Sequence, residues 1–185
     1  MILLSVGNFI KKYWNWLISV IDTPIWLEIF FVVIIILRIP SFFESYYYGD
    51  EMIYLTLGEG IRQGIALYSG LHDNKPPLLY LVAAISGNVF VFKALLAAFN
   101  ILAIYLFWKL TKILFPKNDK LHTVSTIIFG IFSTMPLLEG NIANAENFMM
   151  VPVLLALVYA LARKDTVKNM FLVGILFSID SLFKI

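Results

Sequence analysis

From Ile25 to Ile39 the chain reads IWLEIFFVVIIILRI, with Glu28 and Arg38 as its only charges. A run of this kind offers no polar face to water. In a bilayer it can satisfy every backbone group within the segment only as a helix or as part of a closed barrel. It does not alternate polar and apolar residues, so the expectation is a transmembrane helix from about Thr23 to Phe43. Thr23 can cap it, Pro24 suits its first turn, and Pro40 is expected to end its most regular part.

Composition extends the argument to the rest of the chain. Of 185 residues, 61% are hydrophobic and 14% charged, with a mean hydropathy of +0.87. Soluble domains are about half apolar and about a quarter charged. These values exclude a soluble globule, a disordered chain and a nucleic-acid binder. A net charge of +2, from 14 basic and 12 acidic residues, implies no polyanionic partner. There is no cysteine, so disulfides, thiolate metal sites and cysteine nucleophiles are excluded. His72 and His122 are too far apart in sequence to point to a histidine metal site.

The expected fold is an all-α integral membrane protein, a polytopic helix bundle of about five spans. Further spans are read at Val89 to Trp108, Leu121 to Leu138, Phe148 to Ala162 and Met170 to the C-terminus. Residues 1–22 form a separate interfacial helix in this reading. Phe9, Ile10, Tyr13, Trp14, Leu17 and Ile18 recur at helical spacing, with Lys11 and Lys12 at headgroup level. Residues 23–185 form the transmembrane part. Because the last apolar run carries no polar tail, that part is expected to be the N-terminal portion of a longer bundle.

Pro76 to Ile85, PPLLYLVAAI, is apolar but only ten residues long before Ser86, Gly87 and Asn88 interrupt it. Spanning about 30 Å of hydrocarbon takes about 20 helical residues. The segment is therefore read as a helix lying in the interface or re-entering. With five spans, Lys11, Lys12, Lys109, Lys112, Lys117, Lys120, Arg163, Lys164 and Lys168 share one side, which the positive-inside rule makes cytoplasmic. The N-terminus is then inside, at the cell membrane. A six-span arrangement with the N-terminus outside satisfies the charge rule as well, so segment length carries the choice.

The outer side receives a long first loop, residues 41–88, rich in acids, aromatics and glycines. Its aromatic content argues against a flexible linker. Asp50 and Glu51 have two readings. In one, Asp50 caps a short helix, Glu51 favours its positive end, and Met52, Ile53, Leu55 and Leu57 face the membrane. In the other, they are carboxylates at the outer surface, one of them a general base. Lys75, ahead of two prolines, either holds an anionic headgroup or snorkels to lipid phosphate. His72 and Asp73 sit beside it. Asp73-Asn74 reads as turn chemistry, and His72 joins Lys75 as a substrate-binding candidate. Glu146 heads the run FMMVPVLLALVYALA. It is a partner for the helix dipole or a functional acid on the same side as Asp50. Asp180 is a weaker candidate, and Gly58, Gly60 and Gly64 match no phosphate loop.

Several of these features occur together: a span ending in R-x-P, then GDE, a glycine-bearing helix, NKPPLLYL, a span closing on KLTKILFPK, and NIANAEN at the head of another span. In this combination the chain resembles the N-terminal part of GT-C class membrane glycosyltransferases. The resemblance is to the dolichyl-phosphate-mannose protein mannosyltransferases and the bacterial lipid A aminoarabinose transferases, over about residues 37–185. It implies an enzyme that moves a sugar from a polyprenyl-phosphate carrier to an acceptor hydroxyl at the outer leaflet. It also implies juxtamembrane helices in the first outer loop. In that frame Asp50 is the base or acceptor-orienting acid, Glu51 completes the pair, Lys75 lies near the carrier phosphate, and Glu146 is the second-loop acid. A divalent cation, if one is used, would fall to Asp50 and Glu146. The implied partners are the lipid-linked donor and membrane lipid, and the oligomeric state is not set. Two other classes compete: a transporter subunit, on Pro136, Pro152 and the re-entrant segment, and a non-catalytic membrane scaffold.

Overall fold

The computed structural model describes residues 23–45 and 48–184, so the expected interfacial helix of residues 1–22 lies outside the described residues, as do Tyr46 and Tyr47. The described residues are helical, with no β-strand among them. In order they form α1 (Ile25–Phe42), α2 (Gly49–Arg62), α3 (Leu78–Ser86), α4 (Val89–Leu114), α5 (Asp119–Phe132), a 3-10 turn (Pro136–Leu138), α6 (Ala145–Ala162) and α7 (Val167–Ser181). The chain divides into two compact units, residues 1–33 and 34–185, with the division falling inside α1.

Three helices, α1, α4 and α6, are long and apolar enough to cross a membrane. This makes the chain a helical membrane protein. At 1.5 Å per residue α1 and α6 extend about 27 Å and α4 about 39 Å. α5 and α7, with 14 and 15 residues, extend only about 21 and 22 Å.

Local sequence sets most helix starts. The side chains of Asn88, Asn118, Asn144 and Thr166 accept the backbone N–H three residues on, and so cap α4, α5, α6 and α7. α3 is as short as its sequence requires. Gly87 ends it in the left-handed region at φ 71°, and Asn88 at once caps the next helix.

α1 runs through Pro40 to Phe42, one residue short of the expected Phe43, and the Ser41 hydroxyl donates to the Arg38 carbonyl (2.7 Å) in this last turn. Two local expectations are corrected. Asp50 does not cap α2. Tyr48 holds the cap position without a side-chain capping bond, and Asp50 lies in the first turn, its carboxylate taken by Tyr54 and Lys75. Leu57 does not face the membrane: with Glu51, Tyr54 and Gly58 it forms the buried face of α2.

In the unit of residues 34–185, α4 packs against α6 and α5, α6 against α7, and α2 against α3. Gly58 makes the α2–α3 contact close, since a Cβ there would meet the Ala84 backbone nitrogen at 2.6 Å. The main core joins α2, α3 and the segment before α6 to the bundle through stacked aromatics. Phe148 of α6 stacks on Phe92 (5.7 Å between centroids) and on Phe183 (5.9 Å), and meets Phe99 edge-on at 5.1 Å.

A buried arginine fastens the segment after α5. Arg38, 1% exposed, donates from Nε to Asn100 Oδ1 (3.2 Å) and from Nη2 to the carbonyls of Ser133 (3.1 Å) and Gly140 (2.8 Å). Asn100 Nδ2 adds a bond to Ser133 Oγ (2.9 Å), and Thr134 Oγ1 donates to Asn100 Oδ1 (3.1 Å). Nε and Nη2 meet oxygen acceptors held by Asn100 and the turn, while Nη1 is buried without a hydrogen-bond partner among the described residues.

Candidate functional site

Asp50 and Lys75 are 25 residues apart, and the fold closes them into one cluster. Lys75 Nζ lies 3.2 Å from Asp50 Oδ2. Tyr54, one helical turn after Asp50, stands between them. Its hydroxyl donates to the same Oδ2 (3.1 Å) and accepts from Lys75 Nζ, which also lies 4.6 Å from the centre of its ring. Helical spacing puts Asp50 and Tyr54 on one face of α2. Lys75 arrives from the prolines that start α3, and the Tyr68 hydroxyl donates to its carbonyl (2.8 Å).

The cluster sits at the surface, with the Asp50 side chain 49% exposed and that of Lys75 26%. Both bonds to Asp50 fall on Oδ2; Oδ1 makes no hydrogen bond among the described residues. The Tyr54 phenol is pushed above its ordinary pKa, first by burial, then by the carboxylates of Asp50, Glu146 and Asp73. It therefore remains a neutral donor at physiological pH. Tyr48 is raised too, by burial first and then by Glu139, Asp50 and Glu146. Both phenols sense Asp50 and Glu146, in keeping with the bond from the Ala143 N–H to Glu51 that joins their two segments. Glu146 itself pairs with Lys184, their side chains 53% and 44% exposed.

Glu51 points the other way. It is 3% exposed, and its Oε1 accepts the Ala143 N–H at 2.6 Å. Its Oε2 lies 3.4 Å from Lys93 Nζ of α4, and Lys93 also holds Glu44. Glu44 in turn accepts from Asn141 Nδ2 (2.9 Å). Burial pushes the Glu51 carboxyl up, while the Ala143 N–H and Lys93 pull it down. The pair expected from sequence is thus split. Asp50 faces solvent, and Glu51 ties the loop carrying Glu146 to the helix carrying Asp50.

His72 is exposed and has no hydrogen-bond or ion-pair partner among the described residues. The Asp73-Asn74 turn is as expected, with the Asn74 N–H donating to Asp73 Oδ1 (2.7 Å). No group of three histidine, aspartate or glutamate side chains placed to hold a metal occurs among the described residues. Asp50 and Glu146 each carry a lysine instead, which fits a site for an anion better than one for a divalent cation. Sequence reasoning missed Tyr54, Lys93, Glu44 and Lys184. The i, i+4 spacing of Asp50 and Tyr54 was a usable signal for the first. Nothing local marked the others. A groove of about 550 Å³ between α4, α5 and α6 is lined by Phe107, Phe129, Phe132, Leu138 and Met150, and it reaches Asn147, the neighbour of Glu146.

No protein-family model matches the chain, and neither the curated proteins nor the solved structures contain a match to it.

Proposed function

We propose that the chain is part of a membrane glycosyltransferase that moves a sugar from a polyprenyl-phosphate carrier to an acceptor hydroxyl on the outer face of the cell membrane. The observation that carries the reading is the closed Asp50–Tyr54–Lys75 cluster at the surface, with Glu146 beside it. A carboxylate within reach of a hydroxyl can take its proton, and a lysine can stabilise charge growing on a phosphate. Asp50 removes the acceptor proton as the new bond forms to the anomeric carbon. The bond to the carrier phosphate breaks, the configuration inverts, and Lys75 holds the departing phosphate. Glu51 acts as a positioning acid. The groove reaching Asn147 is a path for the isoprenoid chain, its lining being mostly apolar with Ser125, Ser133 and Asn147 as the polar members.

The topology that goes with this reading has five spans, α5 and α7 tilting little and relying on flanking turns. It is supported by the loops that meet. Residues 139–147 contact Glu44 and Glu51, and Leu182 contacts Leu78, as expected of loops at one end of an alternating bundle. A transporter would place its charges near the middle of the spans. Here Arg38 and Lys93 lie toward the loop-bearing helix ends, and the acids of the candidate site lie in first turns, Asp50 and Glu51 in that of α2 and Glu146 in that of α6.

The test is sugar transfer from radiolabelled polyprenyl-phosphate sugars by membranes containing the full-length protein, with Asp50→Asn alongside. Collapse of transfer at unchanged expression supports the assignment. Equal transfer in both removes Asp50 from the mechanism.

A further inference from the structure

Lys184 follows directly on a residue of the core and a backbone bond to the start of α3. Phe183, 3% exposed, stacks on Phe148 in the core. The Leu182 carbonyl accepts the Leu78 N–H at 3.0 Å, at the start of α3. That bond ties the backbone two residues before Lys184 to the backbone three residues after Lys75. Each lysine is held by one carboxylate, Lys75 by Asp50 and Lys184 by Glu146, and Tyr54 lies within the field of both acids. All four side chains are at least a quarter exposed. Ion pairs this open contribute little, so a better anion can exchange with them.

We propose that Lys75 and Lys184 form a two-cation cradle for one phosphate group, and that the phosphate displaces Asp50 and Glu146 from these lysines when it binds. Without a ligand the two carboxylates occupy the cradle, and Asp50 is engaged. A phosphate monoester or diester, with more charge and more acceptor oxygens than a carboxylate, takes both ammonium groups. Asp50 is then released from Lys75 and becomes available to an acceptor hydroxyl. Donor binding thus precedes acceptor activation, which guards the donor from premature attack. The identity of the phosphate as that of the lipid-linked donor rests on the function proposed above. The exchange itself rests on the two exposed ion pairs and on the Leu78–Leu182 bond that ties their segments together.

The experiment is equilibrium binding to the full chain in nanodiscs, with polyprenyl monophosphate, the corresponding polyprenol and inorganic phosphate as probes. Lys184→Met and Lys75→Met should each weaken polyprenyl monophosphate by about tenfold, the contribution of one charge-assisted hydrogen bond. Polyprenol binding should be unchanged. Lys184→Arg should bind nearly as wild type, and Lys120→Met, at the opposite end of the bundle, should have no effect. Lysine dependence with inorganic phosphate as well assigns the headgroup alone. Dependence with the lipid only assigns the lipid-borne phosphate. The decisive arm is Glu146→Gln, which frees Lys184 and should tighten phosphate binding several-fold. Misfolding cannot produce that result. Wild-type affinity in Lys184→Met, or weaker binding in Glu146→Gln, would overturn the cradle. Lysine-dependent phosphate binding without sugar transfer would leave the cradle standing and sink the transferase reading. Transfer with a Lys184→Met protein at the wild-type rate would do the reverse.

Discussion

Replacing Lys93 by methionine tests how the segment between α1 and α2, α2 itself and the segment before α6 are held in register. Lys93 is 2% exposed and is the cation between buried Glu51 and partly exposed Glu44. Its attraction to Glu51 at 3.4 Å is about 5 kcal/mol at an effective dielectric of about 20. Breaking a buried pair by removing one partner costs about 3–5 kcal/mol, because the other charge is left behind. The penalty should depend on pH. The folded-state pKa of Glu51 is already raised, burial outweighing the Ala143 N–H and Lys93. Without Lys93 one of the two opposing influences is gone, and the pKa rises further. An acid whose folded pKa lies above its unfolded value binds more protons when folded, so its contribution to stability falls as pH rises. The loss in Lys93→Met should therefore be greatest above the raised pKa and shrink as pH falls toward the ordinary carboxylate range. Thermal unfolding of the purified protein between about pH 5 and pH 8 measures this. Adding Glu51→Gln should recover much of the loss at high pH, since the amide oxygen can still accept the Ala143 N–H. The reasoning is refuted if the deficit is the same at both ends of the range, or if the double variant is no more stable than Lys93→Met.

Tyr54→Phe keeps the ring packed 6.1 Å from Tyr80 but removes the hydroxyl that links Asp50 and Lys75; transfer should fall about tenfold or more at unchanged expression, and a wild-type rate would show the link to be incidental. Arg38→Met should destabilise the protein by about 2–3 kcal/mol, because the Gly140 carbonyl loses its charged donor in a buried setting. Limited proteolysis should locate the opening between Ser133 and Gly140, and cleavage elsewhere would count against this account. Because the natural chain has no cysteine, single cysteines report the side of the membrane directly. Cysteine at exposed Asn74 should react with an impermeant maleimide in intact cells, and cysteine at Lys117 or Asp165 only after permeabilisation. Labelling of all three from outside would reject the five-span orientation.

Much of the scaffold was legible because the signals are local. An uninterrupted apolar run must be helical in lipid, and asparagine or threonine before such a run caps it, as at Asn88, Asn118, Asn144 and Thr166. Pro76, Pro77 and Gly87 bounded α3 in sequence, and its nine residues follow from them. The candidates Asp50, Lys75 and Glu146 were legible as charged residue types in or beside the connections between apolar runs. Their relations were not. The bond of Glu51 to Ala143 spans 92 residues and that of Arg38 to Asn100 spans 62, distances over which no periodicity carries information. Adjacent Asp50 and Glu51 look alike in sequence, yet about 100° of helical rotation sends one to solvent and the other into the protein. The sequence by itself determined a helical membrane protein with charged chemistry in its loops, since burial in lipid leaves the backbone no alternative. Only the tertiary structure decided which lysine meets which carboxylate, because a charge is settled by whatever the packing of distant helices brings within a few ångströms of it.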